Sequence, residues 1–155
     1  MSDGPEGPVV TVRWVDGYTF LGSDASGHTV VFDSSGEGVS GGMSPMQALL
    51  ASVGACSGMD VVAVLGKRKQ RLTSLQVRVG GTRPEHGLPK PYTSISLRYV
   101  LKGRGLRRDY VEEAVAGSME KYCSVAATVN ARAKIEYSYE VLEEEEEEPK
   151  AAPTA

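Results

Sequence analysis

Apolar and polar positions along the chain change period several times, and each change marks an element. From 9 to 15, Val10, Val12 and Trp14 alternate with Thr11 and Arg13, which predicts a strand. Asp16-Gly17 is a hairpin turn signal, and 18–22 reads as the returning strand. Turn-forming residues fill 23–27, and 28–33 reads as a third strand. A three-stranded meander is marginal alone. It is expected to pack on something else, a partner subunit included.

After a Gly/Ser-rich loop over 34–42, the period lengthens to that of a helix, predicted from Ser44 to Lys67. Ser44 can cap the first amides, Pro45 suits the first turn, and Lys67, Arg68 and Lys69 place positive charge at the end. The segment between has no clear polar face, so it is expected to be buried. Gly54 and Gly58 sit mid-helix at roughly 1 kcal/mol each relative to alanine. That cost predicts close approach by another backbone, or room left for something at the Cys56 sulfur. The run is long enough to span a bilayer, but Gln47, Asp60 and several serines interrupt it, and strands flank it. No membrane segment is expected.

The second half returns to alternation. Leu75, Val77 and Val79 share a face in a strand over 72–82, and a proline-bearing loop covers 83–91. Ile95, Leu97, Tyr99 and Leu101 share a face in a strand over 92–102. A helix is predicted over 107–122 and a second, offset one over 123–132. A last strand over 133–142 places Ile135, Tyr137, Tyr139 and Val141 on one face. The order β-β-β-α-β-β-α-α-β, with helices segregated from strands, predicts an α+β fold rather than a doubly wound sheet.

Length and charge refine this picture. The chain has 155 residues, 41% of them hydrophobic, enough for one domain over 9–142. Residues 1–8 are expected to be loose, and 143–155 to form an acidic solvated tail. Six acidic residues fall in 143–148. Without them the formal charge of −3 becomes +3, so the body is nearly neutral. No basic run argues for nucleic acid. The N-terminal residues lack the basic and apolar regions of a secretory leader, which leads to an expected cytoplasmic location with reduced thiols.

Candidate chemistry centres on two cysteines, Cys56 and Cys123. Cysteine often packs as a small hydrophobe, and that reading stands beside a reactive one. Ser52, Gly54, Ala55, Ser57 and Gly58 leave room around Cys56. Cys123 falls at a predicted helix start after Lys121, where amide dipoles and the cation favour thiolate. Asp60, four residues after Cys56, would oppose ionisation of that thiol. No Cys/His spacing suits zinc, and His28 and His86 are far apart, so no metal is expected. There is no P-loop, dinucleotide fingerprint or Gly-x-Ser-x-Gly, and no cofactor is expected. Asp109, Glu112 and Glu113 read as a solvated helix face.

With these segments in view, the chain resembles the OsmC/Ohr family of thiol-dependent peroxidases, and most of all its YhfA-like branch. The matching stretches are Arg13-Trp14-Val15-Asp16-Gly17, Phe20-Leu21-Gly22, Ala25-Ser26-Gly27-His28, Ser44-Pro45-Met46, Gly54-Ala55-Cys56, Asp60-Val61-Val62, Tyr92-Thr93-x-Ile95 and Glu120-Lys121-Tyr122-Cys123-Ser124-Val125-Ala126. The resemblance implies an OsmC-like fold, two antiparallel sheet portions around a long central helix, in an intertwined homodimer with active sites at the interface. It also implies that Cys56 attacks an organic hydroperoxide and becomes a sulfenic acid. Cys123 would resolve it as a disulfide, and a thiol reductant would restore both. In the family's peroxidases an arginine and a glutamate activate the thiolate. Met46 and Gln47 stand where the glutamate would, and Gln47 can hydrogen-bond but cannot form an ion pair. Arg13 is the first candidate for the arginine. Arg83 is the second, with Glu85 as its alternative partner. The substitution at 46 and 47 motivates an alternative expectation: a protein of this fold that binds a small apolar ligand or senses oxidants without efficient turnover.

Overall fold

The computed structural model describes residues 10–34 and 41–143. The expectations for 1–8, for most of the Gly/Ser loop and for the tail beyond Glu143 lie outside the described residues. The chain divides into two compact units, Met1–Ala51 and Ser52–Ala155.

The first unit is the predicted meander. β1 (Val10–Asp16), β2 (Thr19–Asp24) and β3 (Thr29–Phe32) pair antiparallel in that order. Gly17 takes a positive φ of 49° in the first hairpin, where a side chain would be strained. The Trp14 indole N–H donates to the Gly17 carbonyl at 3.0 Å. At the second turn Asp24 accepts from the amides of Ser26 and His28, and His28 Nδ1 sits 2.8 Å from its other oxygen. Those bonds hold the Asp24 carboxyl below the usual carboxylate range, with the His28 side chain the largest cause. The sheet leaves large apolar side chains in solvent: Val10 is 63% exposed, Val12 56% and Trp14 64%.

The first long helix, α1 (Pro45–Lys67), starts as expected. Ser44 Oγ accepts from the Gln47 amide at 3.3 Å, and Gln47 Oε1 accepts from the Ser44 amide at 2.9 Å, a reciprocal capping box. The helix is long and apolar enough to cross a membrane by length and composition alone. The expectation of burial all round needs correction. Only Val53, Gly54, Ser57, Val61 and Leu65, at helical spacing, are buried. Met59 is 71% exposed and Val62 50%, because one chain supplies cover for one stripe of the helix.

The second unit carries the core. β4 (Arg71–Thr82) pairs antiparallel with β5 (Ser94–Arg104), and β5 pairs with β6 (Lys134–Glu143). This last pairing is parallel, so the sheet is mixed, contrary to the expected antiparallel arrangement. The physical reason is the connection. α2 (Arg108–Gly117), a π-helical turn at Ser118–Tyr122 and α3 (Ser124–Asn130) lie between β5 and β6, and a crossover of that length returns the chain in the same direction. The π turn replaces the last turn of the helix predicted to reach Tyr122. The inward face of β5 is the one predicted: Ile95, Leu97, Tyr99 and Leu101 are all at most 1% exposed. Gly54 shows the close approach its cost implied. A Cβ there would lie 2.8 Å from Val79 Cγ2 on β4, so the neighbour is a side chain rather than another backbone.

Candidate active site

Helical geometry puts Cys56 and Asp60 one turn apart on the same face of α1. The π turn ends at Cys123, which is extended (φ −71°, ψ 98°) and caps α3 by accepting from the Ala126 amide at 3.3 Å. The two cysteine sulfurs and a carboxylate oxygen of Asp60 all lie within 4.8 Å of one another. The two thiols predicted to act together are therefore adjacent, and the pair is assembled within a single chain. Both are free; Cys56 is half-buried and Cys123 buried.

The helix-start position of Cys123 is borne out, but its thiolate is not favoured. Burial pushes the thiol up to about 11, and the hydrogen bond with Cys56 adds to this. The Ala126 amide works against the rise, and the nearby Asp60 charge adds to it. Desolvation of the charged form thus outweighs one backbone donor at the end of a seven-residue helix.

Behind Asp60 lies a buried polar chain. Ser118 Oγ is 2.9 Å from Asp60 Oδ2 and 2.8 Å from Ser57 Oγ, and Ser57 Oγ is hydrogen-bonded to Tyr99 OH. Ser57, Ser118 and Tyr99 are all fully buried. Tyr99 is pushed up to about 12, mainly by burial, partly offset by its bond to Ser57. In the sequence, Ser57 is read only as a small residue beside Cys56 and Tyr99 only on the inward face of its strand, and Ser118 is not named. The available signal was a tyrosine on an otherwise aliphatic inward face, since a buried hydroxyl needs a partner. Beside Asp60, a cleft of about 460 Å³ is lined by Asp60, Ala63, Val64, Lys67, Tyr122 and the ion-paired Arg68 and Glu113, within the usual size range of small-molecule sites.

Gln47 and Arg83 have structural duties. Gln47 is engaged in the capping box, and Arg13 lies in β1 opposite Leu21, both in the first unit. Arg83 Nε donates to the Lys90 carbonyl at 2.7 Å and its guanidinium lies 6.0 Å from the Tyr92 ring centre, holding the loop after β4. The cluster offers donors of the kind zinc takes, one short of a closed four-ligand site. Thiol–disulfide chemistry needs only the two sulfurs.

Residues 36–138 match the family model described as OsmC-like protein. The chain is 40% identical over 131 residues to Protein YhfA of Escherichia coli strain K12, covering 84% of this chain and 96% of that one. A hypothetical protein from Aquifex aeolicus is similar in structure, with a TM-score of 0.79 and 33% identity over 91% of this chain and 100% of that one. An organic hydroperoxide resistance protein OsmC from Legionella pneumophila shares the fold, with a TM-score of 0.61 at 15% identity over 88% of this chain and 98% of that one.

Proposed function

The chain belongs to the OsmC-like protein family, and from that premise we propose that it reduces organic hydroperoxides with Cys56 as nucleophile and Cys123 as resolving thiol. The observation that carries this reading is the adjacency of the two sulfurs, within 4.8 Å. Half-buried Cys56 meets the substrate; buried Cys123 waits behind it. Cys56 thiolate attacks the terminal peroxide oxygen, the O–O bond breaks, and an alcohol leaves. The resulting sulfenic acid condenses with the Cys123 thiol, releasing water and forming a disulfide. An external thiol then reduces the disulfide by exchange. The name of the Legionella neighbour, an organic hydroperoxide resistance protein, supports the substrate class.

A homodimer is part of this reading. The apolar face of α1 with Met59 and Val62, and the outward valines and Trp14 of the meander, are surfaces that a second copy would cover. Sedimentation at micromolar concentration tests it: a dimer is expected, and a monomer contradicts it.

Consumption of cumene hydroperoxide with dithiothreitol as reductant tests the activity. The wild type turns over and Cys56→Ser does not; in a single turnover without dithiothreitol, Cys123→Ser stops as a sulfenic acid. Equal consumption by wild type and Cys56→Ser would overturn the proposal. A second reading, an oxidant sensor without efficient turnover, is favoured by one observation: Gln47, where the family's activating glutamate would stand, is committed to the helix cap. That reading predicts one stoichiometric oxidation and no sustained consumption.

A further inference from the structure

Three buried hydroxyls converge on the carboxylate beside the thiol pair, and their proton order can be deduced. Ser118 has one proton and two oxygen neighbours, Asp60 Oδ2 and Ser57 Oγ. An ionised carboxylate can only accept, so Ser118 donates to Asp60. Ser57 then donates to Ser118, and Tyr99 donates to Ser57. All three O–H dipoles point toward Asp60. This chain fixes the half-buried carboxylate from its inner side and supports its charge there, where an unpaired charge would be costly. The same carboxylate has an oxygen within 4.8 Å of both sulfurs and lines the cleft of about 460 Å³.

We propose that Asp60 is the acid–base residue of this site, moving protons between the two thiols and the departing oxygens, with Ser118, Ser57 and Tyr99 as positioning residues. The proposal rests on the thiol-peroxidase reading above and deepens it. In the first step Asp60 takes the Cys56 proton, the thiolate attacks, the S–O bond forms and the O–O bond breaks. Asp60 returns the proton to the alkoxide, which leaves as alcohol. In the second step Asp60 takes the Cys123 proton, that thiolate attacks the Cys56 sulfenic sulfur, and the hydroxide leaves as water with the returned proton. Each step ends with Asp60 ionised, as it began. The second step has the greater need, because Cys123 is buried and holds its proton firmly. This role also accounts for a catalytic site built while Gln47 serves the cap.

The alternative is that Asp60 is only a negative charge that discourages thiolate. The two differ in sign for Asp60→Asn. A mere charge, once removed, leaves both thiols easier to ionise and every oxidation faster. A proton carrier, once removed, leaves them easier to ionise and yet slower to close the disulfide. The test uses a dipyridyl disulfide, which needs no peroxide. Cys56 attack releases one thiopyridone, and Cys123 attack on the mixed disulfide releases a second. Asp60→Asn is expected to slow the second release by about a hundred- to ten-thousand-fold, with Asp60→Glu recovering part of it and Ser118→Ala showing a smaller loss. An unchanged or faster second release in Asp60→Asn would overturn the proposal, as would a wild type that releases only one equivalent. A wild type that closes its disulfide in an Asp60-dependent way but consumes no hydroperoxide would overturn the peroxidase reading and leave the role of Asp60 standing.

Discussion

Ser118 donates a hydrogen bond of 2.9 Å to Asp60 Oδ2, tying the π turn after α2 to the middle of α1. π turns inside helices are often found at functional sites. Here the turn does two jobs. It carries Ser118 to the carboxylate, and it ends on Cys123, whose amide bonds the Ser118 carbonyl at 2.9 Å. A regular α-helix through the same residues would change the direction of both side chains.

Tyr99→Phe is expected to destabilise the protein by about 1–3 kcal/mol, because the buried Ser57 oxygen loses the hydroxyl it accepts from and keeps only its bond to Ser118. Urea unfolding of the reduced protein measures this. A change below half a kcal/mol would mean that the polar chain does not support the fold.

The reduced protein is expected to lose stability at alkaline pH. Cys123 is raised from its ordinary 9.0 to about 11, and Tyr99 from 10.0 to about 12. Each is held neutral by folding, so its contribution is complete below the unfolded value and fades as pH rises through the folded one. Melting temperature should therefore fall between about pH 9 and pH 12, and less steeply in Cys123→Ser. A flat profile over that range would contradict the burial of the thiol.

Two glycines of α1 should respond oppositely to alanine. At Gly54 the new Cβ would meet Val79 Cγ2 at 2.8 Å, an overpacking cost of about 1–3 kcal/mol that exceeds the propensity gain. At Gly58 the nearest atom is Val77 Cγ2 at 3.6 Å, an ordinary contact, so alanine should stabilise by about 0.5–1 kcal/mol. Thermal melts of the two variants check the difference in sign.

Ser44→Ala should cost about 1 kcal/mol, because the Gln47 amide loses its partner. Gln47→Glu keeps the reciprocal bond and adds negative charge at the helix start, and should be neutral or stabilising by a few tenths of a kcal/mol. Chemical denaturation resolves both.

Much of the fold was legible because its signals are local. The alternation of Ile95, Leu97, Tyr99 and Leu101 named the buried face of β5, and Asp16-Gly17 named the first hairpin. The parallel pairing of β6 was not legible, since period-two alternation is the same in either direction. The exposed stripe of α1 was hidden for a related reason: an apolar sequence reports that cover is wanted, not which chain provides it. Of the site, the two cysteines were expected to meet, and their sulfurs lie within 4.8 Å; Asp60 was read as a neighbour of Cys56 that hinders ionisation. Its further role depends on Ser118 and Ser57, and a serine in an apolar helix says nothing about which distant hydroxyl it will meet. Gln47 was read only as a family position, although a glutamine three residues after a serine cap is also a capping-box signal, and the structure assigns its side chain to the cap.

The central claim is that Cys56 and Cys123 of one chain form a redox pair. Peptide mass mapping of reduced protein treated with one equivalent of cumene hydroperoxide tests it most directly. The account predicts loss of both thiols and one internal disulfide joining the Cys56 and Cys123 peptides. Cys56 oxidised to sulfenic acid, or in part to sulfinic acid, while Cys123 stays a free thiol would contradict it.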